Sequence, residues 1–296
     1  MMFYVARLWA YIYGLVKDVC GLNLRGLGFV LRLVRTDKVI SVRGRKLYFN
    51  HKIAGSYGRS LAGSWNEPET HQLLSFLLSH LRGSVVFVDV GANIGEIVVD
   101  VARHENISLI LAFEPIAECC KTIKRSLDLN GFHAYRIIEK LVGANVGQHA
   151  FTLNAQAPQL SSVSDVPSAS STQVSMTTLD AEALPRSDHV ILLVDVEGYE
   201  PSVLRGAAGF VADRKPCIIF EYNMISKQRY KIGEIAEILG PQYEFYRLRR
   251  DGHLDDEVES AWNCVAVHRE SAFSALVSSI LIQSPSRTSA PPRTEA

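Results

Sequence analysis

From Val85 onward, apolar runs of strand length alternate with stretches whose apolar residues recur every three to four positions. The runs Val85–Asp89, Leu109–Glu114, Ala134–Ile138, Val190–Asp195, Cys217–Tyr222, Tyr243–Leu248 and Trp262–His268 predict seven strands. Several are apolar almost throughout, as parallel strands covered on both faces must be. Between them, Glu96–Arg103, Ala117–Asn130, Pro201–Phe210 and Ile232–Leu239 carry helical periodicity, and Gly131 is a suitable stop after Asn130. The alternation predicts an α/β fold built on a doubly wound, mostly parallel sheet. The polar segment Arg249-Arg-Asp-Gly-His253 reads as a hairpin turn between the last two runs, which predicts one antiparallel strand at the edge. Two shorter runs, Gln148–Leu153 and Gln173–Thr177, predict an insertion between about 144 and 180. The Ser/Ala/Pro-rich stretch Pro158–Thr172 inside it reads either as a mobile loop beside the active face or as a plain surface excursion.

Residues 1 to 80 predict a helical and irregular N-terminal cap, 81–270 the main domain, and 271–296 a tail whose Ser/Pro-rich end, from about Ser284, has the composition of disorder. Met1 to Val34 is apolar and aromatic, but its longest uncharged run, Leu8 to Val16, is nine residues. A bilayer span needs roughly 20. No convincing cleavage site for a signal peptide is visible. Two readings stay open for this segment: a helix packed on its own domain or on the other subunit of a homodimer, or an aromatic, cation-bearing helix lying on a membrane surface. Further on, Trp65-Asn-Glu-Pro-Glu69 precedes a predicted helix, Thr70–Leu81. It either roofs a ligand pocket or simply places acids at a helix start.

Composition narrows the function. Lys plus Arg equals Asp plus Glu at 31 each, so no basic excess points to a nucleic-acid partner. The five cysteines are odd in number, two are adjacent, and none forms a C-x-x-C pair. That speaks against a disulfide framework or cysteine zinc site and favours reduced thiols and a cytoplasmic setting.

The chemistry concentrates where the first strand ends. Open parallel sheets bind ligands beyond the carboxyl ends of their strands. There Asp89 is followed by Gly91, Asn93 and Gly95, and the second strand ends in Glu114. The glycines let the backbone turn and approach a ligand, and Asn93 with Glu96 resembles a capping box for the following helix. The spacing Asp-x-Gly-x-Asn-x-Gly departs from the Gly-x-Gly-x-x-Gly of dinucleotide enzymes. Glu96 would place a negative charge where a pyrophosphate wants a bare helix end. S-adenosylmethionine has no phosphate and carries positive charge, so it suits these acids better. A carboxylate at Glu114 can accept ribose hydroxyls, although that role serves NAD equally well.

These segments resemble the FkbM family of S-adenosylmethionine-dependent methyltransferases. Phe87-Val-Asp-Val-Gly-Ala-Asn-Ile-Gly95 is similar to that family's first motif and Ala112-Phe-Glu-Pro115 to its second. Thr178-Leu-Asp180, Leu193-Val-Asp-Val-Glu-Gly-Tyr-Glu-Pro201 and Leu204-Arg-Gly-Ala207 are similar to its downstream signature, and Ile218-Ile-Phe-Glu221 and Asn263-Cys-Val-Ala266 to its last strands. The resemblance covers roughly residues 65 to 268. It implies a Rossmann-like seven-stranded methyltransferase sheet, methylation of a hydroxyl on a sugar, glycan or other small natural product, and cofactor contacts from Asp89, Gly91, Asn93, Gly95, Glu114 and Pro115. Glu139 is the candidate for the acid that meets the adenine amino group, with Lys140 beside it complicating the match.

On the acceptor side, Asp195 and Glu197 share a strand face if the strand continues that far, and Glu221 ends the neighbouring strand. Three acids crowding one sheet edge would raise at least one pKa toward that of a useful base for a hydroxyl. The alternative is that Glu197 only caps the next helix while Asp195 holds the cofactor. Magnesium or calcium would suit such oxygen donors, but the spacing does not demand a metal and none is assigned. His51, His71, His133 and His253 sit in no motif and read as surface or packing residues. Two rival functions remain: a nicotinamide oxidoreductase, disfavoured by the glycine spacing, and a non-catalytic cofactor-binding scaffold at a membrane.

Overall fold

The computed structural model describes residues 2–20, 26–152, 162–163 and 171–282, and at its centre is an eight-stranded sheet. Its strands are β3 (Val85–Val90), β4 (Ile107–Phe113), β5 (Tyr135–Ile138), β10 (His189–Val194), β11 (Cys217–Glu221), β12 (Tyr243–Leu248), β13 (Leu254–Asp255) and β14 (Asn263–His268). They lie in the order β13-β12-β14-β11-β10-β3-β4-β5. All seven predicted runs are strands, and the sheet is the mostly parallel, Rossmann-like one expected. The antiparallel strand departs from expectation in position. β14 is inserted between β11 and β12 and runs antiparallel to both. The Asp-Gly turn closes a hairpin onto the two-residue β13 instead, and a turn at Val258–Ser260 then carries the chain back inside the sheet. The hairpin signal was local, whereas insertion is decided by which neighbour covers β11.

Every residue of β3 is buried, and its side chains divide between two apolar layers. Val85 and Phe87 face Leu73, Leu77, Ile110 and Phe273, together with Phe3, Leu47 and Phe49 of the N-terminal region. Val86, Val88 and Val90 face Phe113, Val203, Leu204, Phe210 and Ile235. Each such fully buried side chain contributes about 1.5–3 kcal/mol. The N-terminal region thus shares one core with the sheet. It is also less helical than predicted, because β1 (Lys38–Val42) and β2 (Arg45–Phe49) form an antiparallel hairpin within it. The expected helix Pro201–Phe210 is two helices, Glu200–Arg205 and Ala208–Arg214. Gly206, at the break, lies so close to the carbonyl of Gly143 that a Cβ there would come within 1.9 Å of its oxygen.

The insertion is a second, four-stranded sheet of β6 (Leu141–Val142), β7 (Gly147–Thr152), β8 (Ser162–Val163) and β9 (Ser171–Thr177), in the order β6-β9-β7-β8. Its Leu141, Phe151 and Met176 pack with Ile116 and Tyr199, so the insertion stands against the carboxyl edge of the main sheet. Most of Pro158–Thr172 lies outside the described residues, as does the tail from 283. The part of the tail that is described is ordered: Ala272–Ser279 is a helix whose Phe273 and Val277 are buried.

The first helix, Met2–Cys20, buries Phe3, Ala6 and Ala10. Tyr4, Leu8, Tyr11 and Leu15 recur at helical spacing on its other side and are 48–68% exposed. Among the described residues, no helix is long and apolar enough to cross a membrane.

Candidate active site

The strand order reverses between β3 and β10. From β3 the chain winds outward through β4 and β5, then crosses to β10 and β11 on the other side. A cleft opens at that switch point, over the carboxyl ends of β3 and β10, where open α/β sheets bind ligands. It holds about 480 Å³ of empty space and is lined by Asn66, Glu67, Asp89, Gly91, Asn93, Glu96 and Asp195 among others.

The turn after β3 explains its own spacing. Gly91, Asn93 and Gly95 all have left-handed backbone, with φ of 95°, 49° and 79°. Glycine adopts that region freely and Asn is among the few other residues that tolerate it. Gly91 has a second reason. A Cβ there would stand 1.9 Å from the carbonyl oxygen of Asp195, so the ends of β3 and β10 close up only over a bare Cα. The helix begins at Glu96 behind Gly95 with no side-chain cap. The expected capping box is therefore absent. Glu96 is buried and instead accepts bonds from Ser60 Oγ and, at 2.8 and 3.1 Å, from Asn66 Nδ2 and N. It anchors the N-terminal region over the cleft.

Glu114 meets the same turn. Its Oε2 accepts from Asn93 N and its Oε1 from Ile116 N, both at 2.9 Å, while Phe113 O accepts from Gly91 N and Ala92 N. Gly91 and Glu114 thus share one sheet edge, with Pro115 carrying the chain past it. Glu114 stands behind the turn and is not among the cleft-lining residues; each of its oxygens keeps a second lone pair. Glu139 follows β5 on the same edge, exposed and away from the cleft lining.

Of the residues sequence reasoning left open or missed, Glu67 matters most. It caps the helix Pro68–His80 with φ 46° and lines the cleft, so the Asn66-Glu67 segment forms a wall of the pocket. Its Oε2 accepts from Asn263 Nδ2 at 2.9 Å and Thr70 Oγ1 at 3.2 Å, which ties β14 to that wall. The Asn-Glu-Pro tripeptide was the available signal. Glu200 was also missed. It is fully buried, and its Oε1 accepts from Val196 N and Gly198 N, holding the turn after β10.

That turn corrects the expected route to the acid cluster. β10 ends at Val194, so strand alternation does not align Asp195 with Glu197. Glu197 (φ 54°) and Gly198 (φ 92°) are left-handed, and the resulting bend brings Asp195, Glu197 and Glu221 together, with one oxygen of each within 4.8 Å of the others. Burial, and then the charge of Glu221, raises Asp195 well above the carboxylate range. Burial and Glu197 push Glu221 up to about 8. The histidines stay out of the cleft lining. His71 is buried against Asp100 at 2.7 Å and stacks on Trp65, and His51 pairs with Asp37.

Burial also pushes Asp89 up to about 8, and Glu96 and Glu114 to about 7 despite their amide partners. The folded chain therefore holds protons that the unfolded chain releases near pH 4. Their contribution to stability is complete below that ordinary range and is lost as pH rises toward 8. The midpoint of thermal unfolding of the ligand-free protein is expected to fall by about 5 °C between pH 6 and 8.5. Scanning calorimetry checks this, and Glu96→Gln should flatten the slope.

A strand-order reversal, a glycine turn upon it and an acid ending the next strand define a Rossmann-like class. Within that class the methyltransferase FkbM domain matches residues 89–249, and the chain belongs to the FkbM methyltransferase family. Among solved structures, the chain is similar to an FkbM methyltransferase from Methylobacillus flagellatus KT, at 19% identity and TM-score 0.46, over 67% of this chain and 48% of that one. It therefore spans about half the length of that protein. It is also similar to TYW2 of M. jannaschii in complex with AdoMet, at 14% identity and TM-score 0.40, over 83% and 88% of the two chains. SMU.1697c of Streptococcus mutans, in complex with SAH, is similar at 10% identity and TM-score 0.41, over 69% and 98%. No curated protein matches the chain.

Proposed function

We propose that this protein is an S-adenosylmethionine-dependent O-methyltransferase acting on a hydroxyl of a sugar, glycan or other small natural product. The observation that carries the reading is the acidity of the cleft. Glu67, Asp89, Glu96 and Asp195 line it, and among the described residues no lysine or arginine does. A cationic ligand there favours the ionised form of these buried acids, whereas a pyrophosphate would find no cation to pair with. Gly91 and Asn93 offer the close backbone approach, Asp89 and Glu67 carboxyls that ionise beside a cation, and Glu114 the spare lone pairs for hydroxyls. Bound there, S-adenosylmethionine would supply an electrophilic methyl group. Asp195, Glu197 and Glu221 then lie next to the cleft on the β10–β11 side, where they orient an acceptor hydroxyl and take its proton.

Calorimetry with S-adenosylhomocysteine and NADH separates this reading from an oxidoreductase: the first should bind and the second should not. Methyl-labelled S-adenosylmethionine, incubated with sugar, nucleotide-sugar and lipid-linked glycan pools, tests turnover. Asp195→Asn is expected to lower kcat by about 100-fold or more while changing cofactor affinity much less. Tight cofactor binding with no labelled product in any pool would favour the non-catalytic scaffold.

We also propose a cytoplasmic enzyme resting on the inner membrane through the exposed stripe Tyr4, Leu8, Tyr11 and Leu15, which Phe29 of the next helix, 68% exposed, extends. Full-length protein should float with anionic vesicles, and Leu8→Glu with Tyr11→Glu should abolish flotation. A dimer in light scattering that these changes dissolve, without flotation, would assign the stripe to a homodimer instead.

A further inference from the structure

We propose that Asp195, Glu197 and Glu221 bind one divalent cation of the oxygen-preferring kind, magnesium or calcium. Two independent observations point there. The first is spacing: one oxygen from each residue lies within 4.8 Å of the other two. Oxygens coordinating a common ion at 2.0–2.6 Å are separated by no more than about twice that length. The second is an unmet need. Glu221, only 6% exposed, has an Oε2 that is buried without any hydrogen-bond partner, and the same holds for Glu197 Oε2. A buried carboxylate oxygen without a hydrogen-bond partner is costly.

The protein's own charges do not meet that need. Asn223 hydrogen-bonds Glu197 and Glu221, and Arg229 reaches Glu197, but neither overcomes the burial of these carboxyls. Glu67 adds further negative charge to both Asp195 and Glu221. All three donors are carboxylates, without histidine or cysteine, a set that suits hard cations over zinc or copper. Three carboxylate oxygens leave further coordination positions for water or for one or two acceptor oxygens. The ion would then lower the pKa of the hydroxyl and fix its direction. This last role rests on the proposed O-methyl transfer, whereas cation binding itself does not.

The test uses the full chain, stripped with chelator and titrated with Mn²⁺ alone by electron paramagnetic resonance. One tightly held Mn²⁺ per chain, displaced by Mg²⁺ or Ca²⁺, is expected. Asp195→Asn and Glu221→Gln should each weaken it at least about tenfold, while Glu118→Gln, on the surface, should not. No binding above the level of the double variant Asp195→Asn/Glu221→Gln, or binding that survives it with circular dichroism unchanged, would overturn the site. Calorimetry with S-adenosylhomocysteine on the same samples keeps the two readings apart. Cofactor binding without Mn²⁺ sinks only the cation site; Mn²⁺ without cofactor upholds it and sinks the methyltransferase reading.

Discussion

Gly91→Ala is expected to abolish S-adenosylhomocysteine binding. The native φ of 95° is already strained for alanine, at about 1–2 kcal/mol. The larger effect is steric. The new methyl would stand 1.9 Å from the carbonyl oxygen of Asp195, a backbone atom held in place by the bond from Asp195 N to Val90 O at 2.9 Å. Neither side can rotate away, so the ends of β3 and β10 must separate, and the cleft between them loses its floor. Affinity should fall by more than about 100-fold, and stability by roughly 3 kcal/mol or more. Calorimetry and denaturant unfolding measure the two. Gly131→Ala is the control: it too has positive φ, at 73°, but nothing lies near its missing Cβ. If Gly91→Ala binds as tightly as wild type, the turn does not approach the ligand.

Glu114→Ala is expected to be nearly as severe. The carboxylate accepts from two amides on different segments, Asn93 N of the turn and Ile116 N of the chain after β4. Its removal leaves both half-buried donors without this acceptor, at about 1 kcal/mol each. The turn after β3 would loosen and the proposed acceptor for ribose hydroxyls would be lost, so cofactor affinity should drop about 100-fold together with stability. Glu114→Gln separates the two roles. It keeps one acceptor oxygen but presents an NH₂ to the other amide, so it should lie between wild type and alanine in both measurements. A variant that loses stability yet keeps full affinity would make Glu114 a brace for the turn and nothing more.

Much of this was legible in the chain because it is local. Val85–Val90 is buried on both faces, and a run that is apolar at every position but Asp89 says so directly. The glycine and asparagine spacing was readable because left-handed backbone admits few residues. The placement of Gly91 beside Glu114 followed from two parallel strands ending at one edge. What misled was also local. Asn93 and Glu96 have the spacing of a capping box, but Glu96 is drawn to Ser60 and Asn66, some thirty residues earlier in the chain. Asp195 and Glu197 have the spacing of one strand face, but the strand stops first and a left-handed bend does the work.

By itself, then, the sequence determined the strands and the order of their acids and glycines, since each depends on neighbours within a few residues. Tertiary structure alone decided that β14 slips inside the sheet and that Glu67 and Asn66 wall the cleft. Those facts depend on which distant segments share a core. Burial and charge act through space, and the residues they couple here are as many as 196 positions apart.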